Sequence, residues 1–204
     1  MKTSTPSTTT RGPAEHDLRD QIVAAATEHF SRYGYGKTTV SDLAKAVGFS
    51  KAYIYKFFES KQAIGEMICS NCLFSIESEI RTAVNRAGTP PEKLRAMFRA
   101  MTEAGMALFY DDRNLYEIAA TSATEKWPSV LVYEQKILQL LRDVVQEGRQ
   151  TGDFERKTPL DEVVMSICLV MHPYLNPLLL QHSMNYSDQA PTHLSNLVLR
   201  SLSP

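Results

Sequence analysis

Residues 49–61, FSKAYIYKFFESK, carry five aromatic rings and three lysines. Ammonium groups pair with phosphate oxygens, hydroxyls bond to them, and only side chains that reach into a groove can read base edges. On a helix starting at Lys51, a step of about 100° per residue gathers Ile54, Phe57 and Phe58 on one side as an apolar anchor. The opposite arc presents Ala52, Tyr55 and Lys56, flanked by Lys51 and Tyr53. Such a face is cationic and hydrogen-bonding as well as soluble, and an anionic partner is the chemistry it suits.

Other groups with chemical potential are sparser. Cys69 and Cys72 lie three apart and share a helix face. No βαβ pattern accompanies them and no further Cys or His pair lies nearby in sequence, so buried core thiols are favoured over a redox or zinc pair. His172, His182 and His193 are ten or more residues apart, without ligand spacing, so neither a metal nor a cofactor is expected. Asp111-Asp112 reads as a solvated helix boundary. The chain has no phosphate-cradling glycine loop, no G-x-S-x-G elbow, no H-E-x-x-H and no carboxylate pair within a catalytic motif, so no catalytic residues are assigned and a non-enzyme is expected.

The elements that must position the aromatic, lysine-bearing stretch are helices. A chain of 204 residues with 43% hydrophobic content can bury a sizeable core. Residues 1–13, rich in Thr, Ser and Pro, read as a disordered arm. Ile22, Ala25, Ala26, His29, Phe30 and Tyr33 then recur at helical spacing, predicting a helix over 17–33 with Gly34 as its cap. Thr39 with Asp42 has the form of a capping box opening a short helix that Gly48 ends, and Ser50 caps the next. Ser60 opens a long helix through Ile64, Ile68, Cys72, Ile76 and Ile80 that stops before Gly88 and Pro90-Pro91. Helical stripes continue to the C-terminus. QEGRQTGDF, residues 146–154, reads as a polar stop; an almost wholly apolar helix from about Leu160 is expected to kink or break at Pro173 and Pro177; a last helix spans about 192–202. No segment shows sustained two-residue alternation with hairpin signals, so the fold class is all-α.

Charge is unevenly spread. Residues 1–61 hold nine Lys and Arg against six Asp and Glu, and residues 62–204 thirteen against seventeen, so a front of +3 and a back of −4 make up the net −1. The start MKTSTPSTTTRGP has no apolar signal-peptide core, no run approaches a membrane span, and three cysteines cannot all pair. A cytoplasmic protein without membrane association is expected.

GYGKTTVSDLAKAVGFSKAYIYKFFESK, preceded by a helix ending FSRYG, resembles the N-terminal domain of TetR-family transcriptional regulators. Gly34, Thr39, Asp42, Leu43, Ala44, Gly48, Ser50, Tyr55, Phe58 and Lys61 carry the resemblance as a spaced set across the first third of the chain. It implies a helix-turn-helix, homeodomain-like domain over 14–61 and a helical effector-binding and dimerisation domain over 62–204. By position it also implies that Thr38, Thr39, Tyr55 and Lys61 touch DNA phosphates, and that Lys51, Ala52, Tyr53 and Lys56 face base edges. Tyr53 is bulky where a small hydroxyl residue is common, and Phe57 lacks the polar atom of the His or Tyr often found there.

The function implied is a ligand-responsive repressor: a homodimer through the last two helices, bound to a pseudo-palindromic double-stranded DNA operator and released by a small, largely apolar effector. Phe74, Met97, Phe98, Met101, Tyr116, Trp127, Met171 and Tyr174 are the candidate effector lining, soft and aromatic with tyrosine hydroxyls to orient a ligand. Two other readings compete. A DNA-binding adaptor or architectural protein without an effector requires a packed core insensitive to small molecules, and a membrane-surface role for the aromatic helix requires liposome binding.

Overall fold

The computed structural model describes residues 15–204, so the expected arm over 1–13 lies outside the described residues. The helices are α1 (Glu15–Tyr33), α2 (Val40–Val47), α3 (Lys51–Ile54), α4 (Lys61–Arg86), α5 (Pro90–Asp111), α6 (Arg113–Glu125), α7 (Pro128–Thr151), α8 (Leu160–Leu175), α9 (Pro177–Ser183) and α10 (Ala190–Ser201), with a 3-10 turn at Met184–Tyr186. Among the described residues there is no strand. The fold is all-α.

Short polar residues punctuate the helices. Thr39 and Asp42 form a reciprocal capping box at α2, and Thr89 and Glu92 form another at α5 with Pro90 at its first position. Ser50 and Ser60 accept from Tyr53 N–H and Ala63 N–H to start α3 and α4. Gly48 ends α2 at φ 77, a left-handed conformation that a Cβ would penalise, and its N–H and that of Phe49 close onto Ala44 and Lys45 carbonyls.

Apolar side chains collect into two cores. One joins Ile22, Ala26 and Phe30 of α1, Leu43 and Ala44 of α2, Ile54 and Phe58, and the first turns of α4, with Ile118 and Trp127 arriving from α6 and the α6–α7 junction. The other is built from Ile80 and Val84 of α4, then α5, α7, α8 and α10. Helix α4 belongs to both, so tilting it moves one core against the other.

Three elements differ from expectation. Helix α3 is only four residues long, and the chain continues to Phe58 through tightened turns, Lys56 N–H to Tyr53 and Phe57 N–H to Ile54. The supposed stop over 146–154 is helical as far as Thr151: Gly148 is tolerated inside α7 because the Phe154 ring folds onto it, where a Cβ would come within 2.2 Å of the ring. Pro173 sits inside α8 without ending it, whereas the break expected at Pro177 is present: α8 stops at Leu175, Pro177 opens α9, and the chain turns by 73° there. Met165 and Leu169 of α8 and Leu197 of α10 are left exposed. Among the described residues no single helix is long and apolar enough to cross a membrane.

Candidate nucleic-acid interface

Helix α3 is fixed from behind and open in front. Ile54 and Phe58 are buried in the first core, and the Arg19 guanidinium lies 4.7 Å over the Phe58 ring, closing the anchor. Lys51, Ala52, Tyr55 and Lys56 are exposed on the outer side. Their cations are placed by neighbouring rings: Lys51 Nζ is 5.8 Å from the Tyr55 ring centre and Lys56 Nζ 5.3 Å from that of Tyr53. Contact with an aromatic face holds an ammonium without neutralising it, so both remain available to an anion.

Tyr53 does not project freely as the sequence implied. Its ring stands edge-on to Phe49 at 4.8 Å and to Phe57 at 5.3 Å, a three-ring ladder running along one side of the turn. The ring is therefore structural, and its hydroxyl is the part with something left to offer a partner. Phe57, without a polar atom, serves as the end of that ladder.

Two neighbouring threonines diverge. Thr38 is 3% exposed and its hydroxyl donates to the Gly34 carbonyl at 2.8 Å. The expectation that it touches phosphate is corrected: the side chain is buried in the loop before α2, out of a partner's reach. Thr39 is exposed at the N-terminus of α2, its hydroxyl on Asp42 at 2.6 Å. Bonds from the Thr39 hydroxyl and backbone N–H hold the Asp42 carboxyl below its usual range.

Lys61 is anchored as well as charged. Its ammonium donates to the Tyr35 carbonyl at 2.9 Å and sits 4.3 Å from that residue's ring centre. One N–H is used and the others remain for a phosphate. Tyr35 was missed in the sequence because a ring after a glycine cap carries no periodic signal. The Ser31–Asp112–Asn114 cluster was missed for a similar reason: Ser31 donates to the Asp112 carboxylate and Asn114 to the Ser31 carbonyl, tying α1 to the start of α6. Ser31 lies 81 and 83 residues from the other two in sequence.

The eight candidate effector-lining residues do not share one cavity. Met97, Phe98 and Met101 of α5 meet Met171 of α8 around a narrow apolar gap closed by Ile137 and Leu141. Tyr174 lies in the same core outside that gap, and Tyr116 of α6 is edge-on to Phe109 at 4.8 Å with its hydroxyl donating to the Pro177 carbonyl. Phe74 is 64% exposed on α4, and Trp127 is 1% exposed in the first core, against Tyr35 and Gly65. Both are corrections to a single lining: α4 turns Phe74 outward, and the α6–α7 junction sends Trp127 toward α1 and α4.

Cys69 is buried with its Sγ 3.3 Å from Ser122 Oγ, and Cys72 and Cys168 are half-buried. Burial pushes all three thiols up, which disfavours the reactive thiolate. Among the described residues no three His, Cys, Asp or Glu side chains converge as metal ligands do.

This geometry has counterparts among known proteins. The family model described as bacterial regulatory proteins, tetR family, matches residues 22–66, and that described as tetracyclin repressor-like, C-terminal domain, matches residues 90–193. The HTH-type transcriptional repressor KstR2 of Mycolicibacterium smegmatis is 27% identical over 150 residues, 71% of each chain. The HTH-type transcriptional repressor DhaR of Mycobacterium sp. is 25% identical over 146 residues, 70% of this chain and 73% of that one. Among solved structures, the regulator FadR of Bacillus subtilis in complex with stearoyl-CoA superposes with a TM-score of 0.62 at 22% identity, covering 89% of this chain and 95% of that one.

Proposed function

The chain belongs to the TetR family of DNA-binding transcriptional regulators, and from that premise we propose that it is a homodimeric repressor released from a pseudo-palindromic operator by a small, largely apolar effector. The carrying observation is the outer side of α3 and its following turn: Lys51, Ala52, Tyr55 and Lys56 exposed on an element that Ile54 and Phe58 bolt to the core. That side enters the major groove, with Lys51, Ala52 and Lys56 toward base edges and Tyr55 toward the backbone. Thr39 at the start of α2 and Lys61 at the start of α4 flank it on phosphates, where a helix N-terminus adds its own attraction for anions.

The unit that docks is residues 14–61, and 62–204 supplies effector binding and dimerisation. Met165 and Leu169 of α8 with Leu197 of α10 are exposed apolar residues that a second copy would cover. Two docked α3 helices must then stand about 34 to 36 Å apart, one DNA turn. The effector enters between α5 and α8, displacing the flexible side chains of Met97, Met101 and Met171. The Bacillus subtilis regulator was crystallised in complex with stearoyl-CoA, and KstR2 of Mycobacterium tuberculosis, similar in fold, is a ketosteroid transcriptional regulator; long acyl chains and sterol skeletons are the first classes to try. Entry there wedges the second core and tilts α4, which changes the separation of the two recognition elements.

The test is DNase footprinting on DNA upstream of the chain's own gene, with excess unrelated DNA as competitor, repeated with acyl-CoA and steroid panels. A two-fold symmetric protected site that disappears with one panel is the expected result. A protected site indifferent to every compound would favour an adaptor without an effector.

A further inference from the structure

A groove of about 320 Å³ runs between α4 and the first turns of α7, on neither the α3 face nor the α5–α8 gap. That volume is enough for a small organic molecule. Its walls are apolar: Met67 and Phe74 on α4, Val132 and Tyr133 on α7, with Phe74 and Val132 both largely open to solvent.

Its polar groups are unequal. Glu77, toward one end, is saturated, with Arg81 at 2.8 Å on one oxygen and Lys136 at 3.3 Å on the other. Glu66, toward the end nearer the DNA-binding helices, is half used. One oxygen accepts the Ser129 N–H at 2.7 Å and so caps α7, while the buried Oε2 has no hydrogen-bond partner in the chain. The buried Ser129 hydroxyl has no nitrogen or oxygen partner either; its polar neighbour is the Cys69 thiol. Among the described residues no Lys, Arg or His comes within 4.0 Å of Glu66. A carboxylate oxygen left alone in a buried position is costly, and a charge-assisted donor recovers that cost best.

We propose that this groove binds a lipophilic primary amine in its protonated form, the ammonium on Glu66 Oε2 and Ser129 Oγ and the apolar body along Met67, Val132 and Phe74. Glu66 and Phe74 are eight residues apart on one helix, about 12 Å at 1.5 Å per residue, which suits a phenylalkyl or medium-chain alkyl amine. An anion is disfavoured by Glu66, and a neutral molecule leaves its oxygen unpaired. The site is separate from the apolar gap proposed for the effector. Only its influence on DNA rests on the reading of the chain as an operator-binding regulator: an occupied groove would tie α4 to α7 one turn beyond Lys61.

Isothermal titration of the full chain, without DNA, compares 4-phenylbutylammonium with the neutral 4-phenylbutanol. The expected result is one amine per chain, with the alcohol at least tenfold weaker. Phe74→Ala, a change at an exposed position that the fold tolerates, weakens the amine severalfold, and Glu66→Gln removes the preference for amine over alcohol. Equal affinity for the two compounds, or full amine affinity in Phe74→Ala, overturns the proposal, and the Phe74 variant decides the matter if Glu66→Gln does not fold. Because no DNA is present, loss of amine binding sinks the groove alone. A missing footprint with amine binding intact sinks the operator reading alone.

Discussion

The Tyr35 ring meets Trp127 edge-on, with 5.9 Å between ring centres. This contact joins the loop that follows α1 to the junction of α6 and α7, and the first residues of α4 pass between them: a Cβ on Gly65 would fall 2.9 Å from Tyr35 Cε2 and 3.0 Å from Trp127 Cη2. Tyr35 also holds Lys61 through its carbonyl. The Lys61 ammonium and the helical body therefore share one packed junction.

Gly65→Ala tests how tight that junction is. Alanine favours a helix over glycine by about 1 kcal/mol, while overpacking a filled core costs about 1 to 3 kcal/mol. The balance is destabilisation by about 1 kcal/mol, read as a lower urea midpoint, together with weaker operator binding. A midpoint equal to or above that of the parent protein would show that the two rings move aside freely.

With Lys61 on a phosphate, as proposed, Lys61→Ala removes a backbone contact and no base contact. Affinity for operator and for unrelated DNA falls by a similar factor, and the slope of log K against log salt flattens by about 0.9 per subunit. A loss confined to the operator would assign Lys61 to sequence reading instead.

Tyr53 needs two substitutions, because the ring and the hydroxyl do different work. Tyr53→Phe keeps the ladder with Phe49 and Phe57, leaves stability within about 0.5 kcal/mol, and alters sequence preference only if the hydroxyl reads DNA. Tyr53→Ala breaks the ladder as well, at about 1 to 3 kcal/mol. Operator mutants assayed against both variants separate the roles, and an unchanged preference in each removes Tyr53 from the reading face.

Glu77 supplies a dependence on acidity. Burial pushes its carboxyl up, but Arg81 and Lys136 outweigh that and leave it below its ordinary value of 4.5. A carboxyl depressed on folding contributes stability that is complete above about pH 5 and fades as pH falls through the folded-state value. Glu77→Gln is thus less stable than the parent by about 1 to 2 kcal/mol at pH 7, its two cations being half exposed. The gap narrows below pH 4.5. A pH-independent gap in thermal melts would assign the loss to packing.

Much of this architecture was legible because the signals are local. Thr39, Ser50 and Ser60 each cap a helix through an atom three residues away, and Gly48 ends one by its own backbone preference, so short windows sufficed. What escaped depends on partners distant in the chain. Thr38 and Thr39 look alike in sequence, and only the fold turns one hydroxyl inward. Gly148 resembled a stop because its reason for being small is the ring of Phe154, a side chain no periodicity announces. Phe74 and Trp127 had the right chemistry for a ligand lining, but the sequence could not say which way their helices would be rolled.

Trp127 is the chain's single tryptophan, and it lies buried in the first core at the α6–α7 junction, its indole N–H donating to Glu125 at 2.7 Å. The molecule thus carries an intrinsic emission probe at the junction between the helical body and the helix-turn-helix core. Any motion that lets water reach the ring reddens its fluorescence, so coupling between the helical body and the DNA-reading end can be followed in real time without attaching a label.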